Sequence, residues 1–250
     1  MAYVMGGDPG PESCSRAIDA VVRGGADILE IGIPFSDPMA DGKSIQAAGA
    51  RALAARTRPS DVLEIAKKAK DRHDVPVVIM TYFNPVFARG VGRFLDSAMK
   101  ARVDGLVVPD LPLEESLELG NACRKRGIDS ILLAAPTTGE SRIEKVIANT
   151  SGFLYLVSVL GVTGARRDLG SETVRLVKSV RRFTAGKIPL AVGFGISRPE
   201  HVEAVVEAGA DAAIVGSAIV DRVGERGEDA AMGGIEAYVA SMKRATLRKG

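Results

Sequence analysis

One carboxylate stands out. In the run Asp27-Ile-Leu-Glu-Ile-Gly-Ile-Pro-Phe-Ser-Asp-Pro-Met-Ala-Asp-Gly42, Glu30 lies inside a short apolar segment with strand character. Side chains alternate along a strand. If Leu29 and Ile31 face covering helices, then Ile28, Glu30 and Gly32 face the opposite way, toward the axis of a closed sheet. A carboxylate placed there loses its hydration. The other apolar runs offer no evident inward Lys or Arg to pair with it. An unpaired buried carboxyl has a raised pKa and suits proton transfer near neutral pH. The competing reading is a structural Glu held by a buried cation.

Asp37 and Asp41 follow in the next loop. Asp-Pro and Asp-Gly steps form turns, so each is either a turn residue or a group that reaches a substrate. Glycines then recur after the later apolar runs: Gly161-Val-Thr-Gly164, Gly193-Phe-Gly195 and Gly216-Ser217. Glycine lets a backbone N–H approach an anion with no Cβ in the way. Ser217 is placed to begin a short helix whose N-terminus faces the same point. The three pairs together suggest a phosphate site, against the plainer reading of tight strand-to-helix turns. Tyr82, Asn84 and Asp110 follow the third and fourth runs and are candidates to line a pocket; Asp110, near Pro109 and Pro112, is equally a turn former. His73 and His201 fall in helical patterns without an acidic cluster, so no metal site is expected.

These groups need a scaffold. Eight short, nearly continuous apolar runs recur: 3–5, 28–31, 77–80, 105–108, 130–133, 153–157, 190–192 and 212–215. Such runs are expected of parallel strands covered on both faces. Amphipathic segments separate them. Glu12–Arg23 puts Cys14, Ile18, Val21 and Val22 on one side; Arg175–Arg182 and Pro199–Ala208 follow the same logic. Ser197 ahead of Pro199 and Glu200 reads as an N-cap. Gly24-Gly25, Gly127 and Gly209 read as helix stops. "GGAD", "ARVDG" and "AGAD" each turn a helix into a strand. Eight such units with no hairpin signal predict an α/β fold, a (β/α)8 TIM barrel of eight parallel strands. The steps after the second and sixth strands are long, roughly 50 and 40 residues, which predicts catalytic or lid loops there.

The bulk numbers agree. A chain of 250 residues suits one barrel domain, 1–250, with no linker inside it. Hydrophobic residues make up 46% and charged residues 26%, which is globular composition. The net charge of +2 and scattered Lys/Arg argue against nucleic acid. No apolar stretch is long enough for a bilayer, and no export signal is evident. Cys14 and Cys123 lack CxxC spacing and read as small buried hydrophobes. A reducing, cytoplasmic setting is expected.

Several segments resemble a known family. Leu29–Gly42, Gly7-Asp-Pro-Gly10, Tyr82-Phe-Asn-Pro85, Pro109-Asp-Leu-Pro112, Leu160–Gly164 and Gly193-Phe-Gly-Ile196 resemble tryptophan synthase alpha chains in order and spacing. The resemblance implies retro-aldol cleavage of indole-3-glycerol phosphate to indole and glyceraldehyde 3-phosphate, a lyase step of tryptophan biosynthesis. It implies no metal and no cofactor of the chain's own. It assigns catalysis to Glu30, Asp41 and Tyr155. Phosphate contacts fall on Gly164, Gly193, Gly195, Gly216 and Ser217, and indole-pocket positions on Phe194 and Met80. Thr163 falls in a lid that meets Asp41 on closing. It also implies a beta-chain partner carrying pyridoxal phosphate, in an alpha2beta2 heterotetramer, near segments 34–42, 82–89 and 161–170.

Two departures from that family stand out. Its members commonly carry a helix before strand one that covers the barrel floor, whereas this sequence starts almost directly at strand one. Lys43-Ser44 replace a usual Pro-Thr or Pro-Val, which frees the backbone beside Asp41. The rival expectations are another phosphate-binding barrel enzyme, such as an indole-glycerol-phosphate synthase or a thiamine-phosphate-synthase-like protein, and a weakly catalytic barrel that activates a beta chain.

Overall fold

The computed structural model describes residues 1–157, 171–225 and 228–247. Strands and helices alternate from the start. The first half runs β1 (Ala2–Met5), α1 (Pro11–Arg23), β2 (Leu29–Gly32), α2 (Lys43–Ala54), α3 (Pro59–Arg72), β3 (Val77–Met80), α4 (Phe83–Arg89), α5 (Val91–Lys100), β4 (Gly105–Val107) and α6 (Leu113–Arg124). The second half runs β5 (Asp129–Ile131), β6 (Leu133–Ala134), α7 (Glu140–Asn149), β7 (Leu154–Val157), α8 (Ser171–Thr184), β8 (Leu190–Gly193), α9 (Pro199–Glu207), β9 (Ala212–Ala213), α10 (Ser217–Glu225) and α11 (Glu228–Arg244). No helix among the described residues is long and apolar enough to cross a membrane.

Every strand pair is parallel, in the orders β1-β2-β3-β4-β5 and β6-β7-β8-β9. The break between the orders falls inside the fifth expected strand. Leu132 N–H donates to Thr150 Oγ1 at 3.0 Å, while its carbonyl accepts from Tyr155 N. A side chain thus takes the place of a ladder partner, and one predicted strand becomes two short ones. At the other seam Tyr3 N donates to Val215 O at 2.8 Å and Val215 N to Met1 O at 3.1 Å. These bonds tie the last strand to the first, as in a barrel.

The alternation of side chains sorts the core into layers. Leu29, Ile31, Val77, Ile79, Leu154, Leu156, Leu190 and Val192 join Ile18, Val21, Val62, Phe94 and Val205 of the helices in an outer core. Val78, Val107, Ile131, Tyr155, Ala191 and Ile214 form an inner cluster, with Ile28 and Met80 against it. Tyr3 and Met5 form a third, packed on Ala48, Ala52 and Val220.

Some local expectations need correcting. The long step after β2 contains an extra helix, α2 ahead of α3, and its longest loop is residues 33–42. The helix after residue 198 is capped by Arg198 without a side-chain bond, not by Ser197; Pro199 takes the first turn. Gly24 caps α1, and Gly25, Gly127 and Gly209 take φ of +93°, +68° and +107°. Opposite the strand C-termini, a small hollow of about 30 Å³ lies among Met1, Ala26, Asp27, Val239 and Met242.

Candidate active site

Glu30 sits in the middle of β2 at 0% exposure. Its register partners are Tyr3 on β1 and Val78 on β3. Neither carboxyl oxygen has a hydrogen-bond partner among the described residues. Burial pushes the Glu30 carboxyl up to about 8, and the chain's terminal ammonium pulls it back slightly. No Lys or Arg among the described residues bonds either oxygen, so the competing reading of a Glu held by a buried side-chain cation finds no support. A protonated carboxyl in a dry layer costs far less than an ionised one, so the acid form dominates at neutral pH.

Asp41 approaches from the loop between β2 and α2. Burial pushes it up to about 6, and a hydrogen bond from Tyr82 pulls it back. Tyr82 Oη also accepts from Ala40 N at 2.9 Å. Gly42 caps α2 at φ −73°, so Lys43 and Ser44 enter the helix rather than the loop. Ser44 Oγ donates to Asp221 Oδ2 of α10 at 3.0 Å. Asp37 is exposed and accepts from Ser36 Oγ, a turn contact. The charges of Glu30 and Asp41 both reach Tyr3 and Tyr155, so the four groups converge on one region.

Tyr155 is 4% exposed, and burial pushes its phenol well up. Its ring meets Phe194 edge-on with centroids 6.3 Å apart. A Cβ on Gly193 would come within 2.6 Å of the Tyr155 ring, so only glycine fits. Phe194 and Gly195 then take φ of +72° and +74°. For Phe194 this is an uncommon backbone state that aims the ring from the strand end. Gly216 and Ser217 follow β9, the hydrogen-bonded neighbour of β8, and Ser217 opens α10. The glycine turns therefore lie together at the C-terminal ends of neighbouring strands. Met80, at the end of β3, packs against both inner clusters.

Thr163 and Gly164 lie outside the described residues. Asp110 is a cap: both its oxygens accept from Phe83 N, at 2.9 and 3.1 Å. Asn84 is exposed. His73 Nε2 pairs with Asp19 at 2.7 Å on the outside, and His201 is buried in α9. No group of three or more His, Cys, Asp or Glu able to hold a metal occurs among the described residues. Both cysteines are buried and free. Tyr3 was not anticipated. The alternation that turned Glu30 inward also applies to Tyr3, and the parallel register of β1 and β2 would have placed the two side by side.

Parallel strands around a buried carboxyl without a partner among the described residues, with glycine turns at their C-terminal ends, mark the class as an α/β-barrel enzyme. The chain belongs to the tryptophan synthase alpha-chain family, whose model matches residues 1–247. That family is a lyase family that cleaves indole-3-glycerol phosphate. The alpha chain of Methanosarcina barkeri is 50% identical over 225 residues, covering 90% of this chain and 83% of the relative. That of Methanoregula boonei is 46% identical over 247 residues, covering 98% and 92%. A chain of the tryptophan synthase a2b2 complex from Pyrococcus furiosus superimposes with a TM-score of 0.91 at 37% identity, covering 97% of this chain and 96% of that one.

Proposed function

We propose that Glu30, Asp41 and Tyr155 carry the family's reaction in this chain. The observation behind this reading is the Glu30 carboxyl, fully buried and without a hydrogen-bond partner. As an acid it protonates indole C3, which makes the ring an electron sink. As the resulting carboxylate it takes the proton from the hydroxyl on the adjacent side-chain carbon. The bond between that carbon and C3 breaks, its electron pair returns to the ring, and an aldehyde forms. Glu30 ends with the proton it began with.

Asp41, as a carboxylate, accepts the indole N–H and stabilises the positive charge that develops there. Tyr155, Phe194 and Met80 form the walls against the ring. Backbone amides of Gly193, Gly195, Gly216 and Ser217 hold the phosphate, helped by the N-terminus of α10. The chemistry needs no cofactor in this chain. We read residues 1–250 as a single functional domain, because one outer core runs from β1 to α11. A cytoplasmic location accords with the two free cysteines.

The partner is a beta chain, and pyridoxal phosphate is that chain's cofactor; the P. furiosus neighbour comes from an a2b2 complex. Met39, 93% exposed, and Phe87, 68% exposed, support docking through segments 34–42 and 82–89. Indole release from indole-3-glycerol phosphate, by this chain alone and with a beta chain, tests the reading. Glu30→Gln should lower turnover by at least ~10²–10⁴-fold and leave phosphate binding nearly intact. Near-parental turnover in that variant would remove Glu30 from the mechanism.

A further inference from the structure

The two turns assigned to phosphate meet through one side chain of the last helix. Beyond Gly193, Phe194 and Gly195, the turn after β8 runs through Ile196, buried in the outer core, to Ser197. Both main-chain polar atoms of Ser197 are held. Its N–H donates to Nδ1 of His201 in α9 at 3.3 Å, and its carbonyl accepts from the Tyr238 hydroxyl of α11 at 3.0 Å. Tyr238 also meets the other turn. The Arg222 guanidinium lies over its ring, 3.8 Å from the centroid. Arg222 Nη1 in turn donates to the Ala218 carbonyl at 2.5 Å, one residue beyond Ser217, where α10 opens.

A continuous path therefore runs from Ser197 through Tyr238 and Arg222 to Ala218. The register between β8 and β9 pairs Ala191 with Ala212 and Val192 with Ala213, and it stops short of both turns. The first turn also carries the positive φ of Phe194, a backbone state that persists only when its surroundings support it. Amides that cradle an anion work best when their mutual positions are fixed before the ligand arrives. Burial pushes the Tyr238 phenol up to about 12, so the hydroxyl keeps its proton for the Ser197 carbonyl. Given the phosphate assignment above, we infer that Tyr238 is a positioning residue for that site, bridging the turn after β8 to the first turn of α10 and so setting the width of the cradle between them.

Tyr238→Phe tests the first link, since it keeps the ring and its contact with Arg222; Arg222→Gln tests the second. In the full chain, the Kd for inorganic phosphate, followed by ³¹P NMR, should rise roughly 3–10-fold in either variant. In indole release, KM for indole-3-glycerol phosphate should rise by a similar factor with kcat nearly unchanged. Cleavage of indoleglycerol, the same substrate without its phosphate, should keep its parental kcat/KM. The two variants combined should lose little more than either alone, because a bridge broken once no longer transmits. An unchanged phosphate Kd in Tyr238→Phe would overturn the inference. So would an equal loss with indoleglycerol, which marks a merely structural role, or fully multiplicative losses in the double variant. A parent chain that binds no phosphate and cleaves both substrates alike would instead sink the phosphate assignment itself, so the parent and variant arms keep the two failures apart.

Discussion

Tyr3 and Glu30 stand side by side on β1 and β2 in matched register, and neither polar group is well satisfied. Among the described residues the Tyr3 hydroxyl reaches only Met5 Sδ, at 3.9 Å, and neither Glu30 oxygen has a partner. Buried polar groups in folded proteins are nearly always paired. Two adjacent exceptions between β1 and β2 accord with the acid–base role proposed for Glu30.

The pH dependence of catalysis follows from the two carboxyls. Glu30 must start protonated and is pushed up to about 8, so kcat/KM should fall as pH rises through that value. Asp41 must be ionised and is pushed up to about 6, so the rate should fall as pH drops through that value. A bell-shaped profile of kcat/KM between these limits is expected. A profile flat from pH 5 to 9 would contradict both assignments.

The same Glu30 shift sets a stability trend. The folded chain holds a proton that the unfolded chain loses near the ordinary value of 4.5. Stability from this group is therefore fully present below that pH, declines as pH rises, and levels off above about 8. Glu30→Gln has no such proton to lose. Urea denaturation of parent and variant should show a gap that widens in favour of the variant across this window. A gap independent of pH would count against the shift.

Gly193→Ala should damage both the fold and the site. The new Cβ would lie 2.6 Å from the Tyr155 ring, in a layer with no room to yield. Overpacking of this kind costs about 1–3 kcal/mol. Displacing Tyr155 should also cut turnover at saturating substrate, read by thermal melting and by indole release on one preparation. Parental values for both would show that the close approach has no consequence.

Arg51 should matter through Asp8. Asp8 is 2% exposed and takes both arms of the guanidinium, at 2.7 and 2.8 Å. Burial pushes the Asp8 carboxyl up and Arg51 offsets only part of that, while the same contact raises Arg51. The two-pronged geometry argues for a charged pair. Arg51→Ala would leave the carboxyl buried alone. A loss of about 2–3 kcal/mol is expected, below the fully buried case because Arg51 is partly exposed. Asp8→Asn combined with Arg51→Ala should recover part of it in equilibrium unfolding; no recovery would mean that the packing of Arg51, not its charge, matters.

Much of this site was legible in the chain. Period-two alternation by itself turns Glu30 inward, and the glycine pairs mark the strand ends where the turns gather. The placement of Asp41 was less legible, because Asp-Gly is also a turn former and Tyr82, which holds the neighbouring Ala40 N–H, follows a different strand. The extra helix α2 was hidden for a similar reason, since length alone does not separate loop from helix.

By itself the sequence determined which residues face inward, where helices stop and which segments alternate, because these are set by neighbours along the chain. Tertiary structure alone decided the split of the fifth strand at Leu132, the positive φ of Phe194, the pairing of Tyr3 with Glu30 and the bond from Ala40 to Tyr82. Each of these depends on groups far apart in sequence that meet only when the strands close. Desolvation is likewise a property of the closed layer, which is why the proton affinity of Glu30 belongs to the fold rather than to the residue.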